Sequence, residues 1–169
     1  MGVKIFLIRK DKQTMLDKIT TLDQLKSLTL GQGHDWPDTL IFKQAGFRVM
    51  TSPTYEGLFK MLATSRFDLF PRALPEIWDE AKIHAEEKLV VEPNFAVIYN
   101  LPAYIFVSKK NEALAKRLTE GFEIAIKDGS FHKLFMTRHG ENIAKAQLKS
   151  RKLFYIENPT LPPEYKNVR

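Results

Sequence analysis

A chain of 169 residues, 44% hydrophobic and 27% charged, suits one compact domain or two small lobes and can bury a sizeable core. No apolar run approaches the roughly 20 residues of a membrane-spanning helix, and zero cysteines exclude disulfides, thiol catalysis and zinc–thiolate sites. The net charge of +6 is uneven, with 13 basic and 13 acidic residues over 1–101 but 13 and 7 over 102–169. Acids are interspersed among those late basic residues and no aromatic-interleaved basic motif accompanies them, so they read as a solvated face rather than a nucleic-acid surface.

Val3 to Ile8 is an apolar strand interrupted only by Lys4. The start MGVKIFLIRKDK carries a basic residue inside its apolar run and no small-residue cleavage site, so it does not read as a secretory signal. Thr21 and Gln24 have capping-box spacing and open a short helix with Leu22 and Leu25.

The stretch 28–50, LTLGQGHDWPDTLIFKQAGFRVM, organises the rest. Leu28 to Leu30 reads as a strand, Gly31 and Gly33 as a turn, and Pro37 as the first residue of a helix, where its missing N–H costs nothing. Leu40, Ile41 and Ala45 give that helix an apolar stripe, Gly46 ends it, and Phe47 to Met50 is the next strand. Such a βαβ unit places a turn and a helix N-terminus at the carboxyl end of a strand, a setting that favours an anionic group. GQG lacks the third glycine of a dinucleotide fingerprint, and no following acid is placed for a ribose.

Further on, Ser52 is placed to cap a helix from Pro53 to about Ser65, followed by a strand over Phe67 to Phe70. Pro75 starts another helix, from Glu76 to about Glu86, and Leu89 to Val91 and Phe95 to Tyr99 are strands. The alternation predicts an α/β fold with a mostly parallel sheet covered by helices on both faces. From Pro102 the pattern changes to a strand over Ala103 to Ser108 and a helix Glu112 to Lys127 capped by Asn111 and closed by Asp128-Gly129. A short helix capped by Ser130, another over Glu141 to Lys149 and a strand Leu153 to Ile156 follow. The tail, with Pro159, Pro162 and Pro163, is expected to run extended over the surface.

Three stretches carry a resemblance: ITTLDQLKSLTLGQG, YEGLFKMLATSRFDLFP and AYIFVSKKNEALAKRLTEGFEIAIKDGSFHKLF. Together, over roughly residues 18–136, the chain resembles the bacterial extracellular solute-binding proteins of the amino-acid ABC-transporter type, with the type II periplasmic-binding fold. The resemblance implies a three-layer αβα lobe over 21–101, corresponding to the family's second lobe. Residues 1–20 and 102–169 would be crossover strands and a remnant of an incomplete first lobe, in an N-terminally truncated form. It implies a periplasmic setting for the full-length family; the compartment of this chain is undetermined by composition. In the full-length form a transporter permease or a sensor partner is implied.

The implied ligand loop is Gln32 to Trp36, giving Gln32, Gly33, His34, Asp35 and Trp36 as candidate ligand contacts, with Arg72 at the end of a strand as a sixth. His34 and Asp35 stand where the family commonly has small hydroxyl residues, and Ala73 stands where it often has an acid. A site with a guanidinium, an indole and a helix N-terminus suits a small anionic or carboxylate-bearing solute. Trp36 can alternatively staple the helix entry, His34 can be a solvated histidine, and Arg72 can pair with Asp68 or Glu76.

His34, His84, His132 and His139 lack i, i+4 pairing, so no metal is implied, and no cofactor motif, Gly-x-Ser-x-Gly elbow or P-loop occurs. The reading is a non-enzymatic solute-binding domain presenting half a cleft. A sensory or regulatory ligand-binding module is the alternative, and an enzyme on the same bilobal fold is a further one. Faces bearing Phe122, Ile126, Phe131, Phe135 and Phe154 would lack their cover in such a fragment, which predicts a homo-oligomer.

Overall fold

The computed structural model describes residues 2–162. Strand β1 (Gly2–Arg9) is the centre of a five-stranded sheet. It pairs antiparallel with β4 (Phe70–Ala73) along one edge, and with β5 (Leu89–Val91) and β6 (Phe95–Tyr99) at different points of its length. β6 pairs parallel with β7 (Lys152–Tyr155). A parallel pair, β2 (Thr29–Gly33) and β3 (Arg48–Ser52), continues the layer through a parallel bridge between Leu30 and Leu69. The α/β class is as expected; the pairing is mixed, parallel at its ends and antiparallel around β1.

Two cores sit on the two faces of this sheet. On one face Phe6, Ile8, Leu30, Phe95, Val97 and Tyr99 pack against Leu16 of α1 (Gln13–Leu16), Leu25 of α2 (Leu22–Lys26) and Ile41 and Phe42 of α3 (Pro37–Gln44). On the other, Ile5, Leu7 and Phe70 pack against Leu58, Phe59 and Leu62 of α4 (Tyr55–Ala63) and Ile77 of α5 (Ile77–Ile83). The alternation along β1 is the period-2 consequence of a strand buried on both faces. These are the three layers.

The local signals act where expected. Thr21 and Gln24 form both bonds of the capping box, a pair of contacts worth about 1 kcal/mol in such settings. Pro37 occupies the first turn of α3, and Gly46 follows it with φ +89°, a left-handed conformation that side chains resist. Thr54 rather than Ser52 caps α4; the Ser52 hydroxyl instead donates to the Thr54 carbonyl.

Other expectations are corrected. Gly31 and Gly33 are not a turn but the last part of β2, paired with Met50 and Ser52. Both glycines serve close approach: a Cβ on Gly31 would lie 2.1 Å from the Phe67 ring, and one on Gly33 2.3 Å from the Trp36 indole. The strand expected over Phe67 to Phe70 is displaced to Phe70–Ala73, because Asp68 serves as a linking residue whose carboxylate accepts the Thr29 N–H at 2.9 Å. Residues 21–101 do not complete the sheet by themselves, since β1 lies at its centre and β7 on its flank.

The chain then runs through 100–108 without a strand, since Ala103 to Ser108 finds no sheet edge among the described residues. Helix α6 (Glu112–Lys127) has the expected bounds, with the Asn111 side chain accepting from Leu114 N–H at 3.1 Å. Ser130 is not a cap. The cap is Gly129, and a single helix α7 (Ser130–Ala146) replaces the two expected, because nothing between Phe135 and Glu141 breaks it. Arg151 and Asn158 return the chain to the α/β unit: the Arg151 guanidinium donates to the carbonyls of Glu92, Phe95 and Ala146, and the Asn158 amide donates to Asn100 O at 2.8 Å. The expected course of the tail from Pro163 lies outside the described residues.

Candidate solute-binding site

The carboxyl ends of β2, β3 and β4 meet at one end of the sheet, beside the N-termini of α3 and α4. β2 ends on Gly33, whose carbonyl accepts the Thr39 hydroxyl at 2.7 Å, fixing α3 to the strand it follows. His34 and Asp35 form the open loop between them, with side chains 68% and 96% exposed and 3.9 Å apart. Trp36 is the N-cap residue of α3. Its indole lies on Gly33, is stacked with Phe70 at 6.2 Å and is tilted against Tyr55 at 6.5 Å.

Arg72 lies beneath these rings. Its guanidinium carbon is 5.0 Å from the centre of the Trp36 ring, 5.4 Å from Tyr55 and 5.1 Å from Phe70, within the range of cation–π attraction. Nε donates to the Glu80 carboxylate at 2.7 and 2.9 Å, and Nη2 donates to both Glu80 and, at 2.8 Å, Glu76. The Tyr55 hydroxyl donates to Glu80 at 2.6 Å, which completes a buried cluster. Burial opposes the charge on Arg72, but Glu80 first and Glu76 second outweigh it and hold its proton above the ordinary value. Burial, with the Glu80 carboxylate beside it, pushes the Tyr55 phenol up.

Arg72 therefore pairs with Glu76, as one reading had it, but its principal partner is Glu80, which sequence reasoning missed; Asp68 is not a partner. Glu80 reads as a first-turn residue of a helix, and its four-residue offset from Glu76, which puts both on one side of α5, was the available signal.

On the opposite face a second polar cluster anchors the same helix N-terminus. Asp38, in the first turn of α3, accepts from Lys4 Nζ of β1 at 2.8 Å and from the Tyr99 hydroxyl at the end of β6. Burial, then the Asp38 charge, raises the Tyr99 phenol above its ordinary range. Gln32 lies between Gly31 and Gly33, so strand alternation turns it toward this face with Leu30. It is fully buried, and its amide has no hydrogen-bond partner among the described residues.

Of the six candidate residues, Gly33, Trp36 and Arg72 are brought into contact or near contact, and His34 and Asp35 border them on the open loop. Gln32 is turned to the other face of the strand. Among the described residues no group of three or more His, Asp or Glu side chains is placed to hold a metal ion, and no helix is long and apolar enough to cross a membrane.

No protein-family model matches the chain, and no curated protein matches its sequence. Solved structures do match it. An ancestral arginine-binding protein bound to arginine aligns with 81% of this chain at a TM-score of 0.56 and 19% identity. The ancestral amino acid-binding protein AncCDT-1, a precursor of cyclohexadienyl dehydratase, aligns with 82% at 0.53 and 18%. The arginine-, lysine-, histidine-binding protein ArtJ of Geobacillus stearothermophilus aligns with 82% at 0.52 and 15%. At these identities the likeness is one of fold, and the fold is that of the amino-acid solute-binding proteins. The chain spans 60%, 59% and 59% of the length of those three proteins.

Proposed function

We propose that this chain supplies one lobe of a transporter-type solute-binding protein and presents half of a cleft for a small carboxylate-bearing solute. The observation that carries the reading is the Arg72 guanidinium held under Trp36 and Tyr55 at the carboxyl end of β4, beside the entry to α3. An aromatic wall over an oriented cation can stack against the apolar part of a solute and bond its carboxylate. The α/β unit with β1 and β7 is the ligand lobe, the family's second; α6, α7 and the segment 103–107 belong to the remnant of the first lobe.

In the full-length form the setting is periplasmic and the partner a permease or a sensor. Alone, the uncovered face of α6 and α7 drives self-association. Affinity at half a cleft is weak, about millimolar, because much of the solute stays in water.

The test is titration of a Trp78→Phe variant, in which Trp36 is the remaining tryptophan, with sodium acetate, L-alanine and ethylammonium chloride at constant ionic strength. Saturable quenching by the two carboxylates and none by ethylammonium is expected. A response to ethylammonium alone, or an unchanged response to carboxylates when Arg72→Met and Glu80→Gln are combined, would overturn it.

A further inference from the structure

The charge count around Arg72 carries the reading above one step further. One guanidinium faces two carboxylates, so the cluster bears a net negative charge, and a third carboxylate is repelled while both stay in place. The two are not equivalent. Glu80 is buried, with 8% of its side chain exposed, and is held by Nε and Nη2 of Arg72 and by the Tyr55 hydroxyl. Glu76 is 54% exposed, meets the cation through Nη2, and is the N-cap residue of α5 without making a side-chain cap bond. Glu80 orients the guanidinium, and Glu76 covers its solvent side.

We infer that Glu76 is a built-in competitor: its carboxylate occupies the position on Arg72 Nη2 that a solute carboxylate takes, and swings into water when the solute binds. Glu76 thereby sets specificity, raising the concentration at which anions bind. It also disfavours dianions, whose second charge would meet the displaced carboxylate. This rests on the solute-binding reading of Arg72. It makes Glu76 a residue whose loss improves binding, the opposite of what a structural ion pair or a direct ligand contact predicts.

Acetate and succinate titrations of the Trp78→Phe protein, with and without Glu76→Gln, separate the possibilities, with circular dichroism confirming an unchanged fold. Release of a partly exposed pair predicts acetate binding about five-fold tighter in Glu76→Gln, with a larger gain for succinate. Acetate binding by Glu76→Gln but not by its parent also supports the proposal. Equal affinity in the two proteins, or weaker binding in Glu76→Gln, overturns the competitor role and leaves the solute-binding reading standing. Failure of both proteins to respond to either anion overturns both.

Discussion

If Arg72 and Glu80 form a desolvated pair, removing one partner must cost far more than removing both. The side chains are 11% and 8% exposed, and Arg72→Met leaves the Glu80 carboxylate with the Tyr55 hydroxyl in place of three charge-assisted bonds. Breaking a buried pair on one side costs about 3 kcal/mol or more, which for a chain of this size lowers the melting temperature by roughly 6–12 °C. In the double variant Arg72→Met, Glu80→Gln, the methionine keeps most of the apolar contact with Trp36 and Phe70, and the glutamine oxygen still accepts from Tyr55. That protein should lie within about 1.5 kcal/mol of the parent, giving a coupling of at least about 1.5 kcal/mol in a double-mutant cycle, increased by whatever Glu80→Gln costs alone. Urea unfolding followed at 222 nm for the four proteins reads this directly, provided the denaturant slope is unchanged. A coupling below about 0.5 kcal/mol would mean that water screens the pair and that the guanidinium is not a desolvated, oriented cation.

Glu92 is fully buried, and that burial raises its carboxyl above the ordinary 4.5 despite the Phe95 and Asn94 N–H donors and Arg151. Its contribution to stability is therefore complete below about pH 4.5 and is lost as pH rises through the folded-state value; urea midpoints from about pH 4 to 7 should fall more steeply for the parent than for Glu92→Gln. Gly31→Ala, which drives a Cβ into the buried Phe67 ring, should cost about 1–3 kcal/mol in the same assay. Trp78 buries an indole N–H that lacks a partner among the described residues, so Trp78→Phe should change stability by less than about 1 kcal/mol; a larger loss would show that the indole has a partner. Phe122 and Phe131 pack edge to face at 6.0 Å and remain 38% and 43% exposed; light scattering should show an oligomer that Phe122→Glu, Phe131→Glu converts to a monomer.

Elements announced by local chemistry were legible in the sequence. The capping box at Thr21, Pro37 with Gly46, and Asn111 with Asp128-Gly129 bracket α2, α3 and α6 closely, because each depends on neighbours within a few residues. What was not legible depends on distant partners. Gly31 and Gly33 read as a turn because glycine is a turn residue, yet they are strand residues kept bare for Phe67 and Trp36. β1 was recognisable as a strand, but nothing in its own apolar run distinguishes a central position from an edge. At the site the sequence pointed to Trp36 and Arg72, which do meet, but not to Glu80, whose importance comes from a contact made across the connection from β4 to α5. Gln32 reads as a loop residue beside the glycines, but it lies in β2, where alternation turns it away.

The first strand of the chain is the middle of its sheet. Ile5 to Ile8 are completely buried in the finished protein, flanked by strands drawn from residues 70–99 and covered on both faces by the helices between residues 13 and 83. During synthesis the partners that this strand has in the finished sheet are still unmade for roughly 5–20 s at ordinary rates of elongation. Throughout that interval it is an apolar strand able to pair with another nascent chain. Variants that slow elongation before residue 99 should therefore precipitate more even when their finished fold is equally stable.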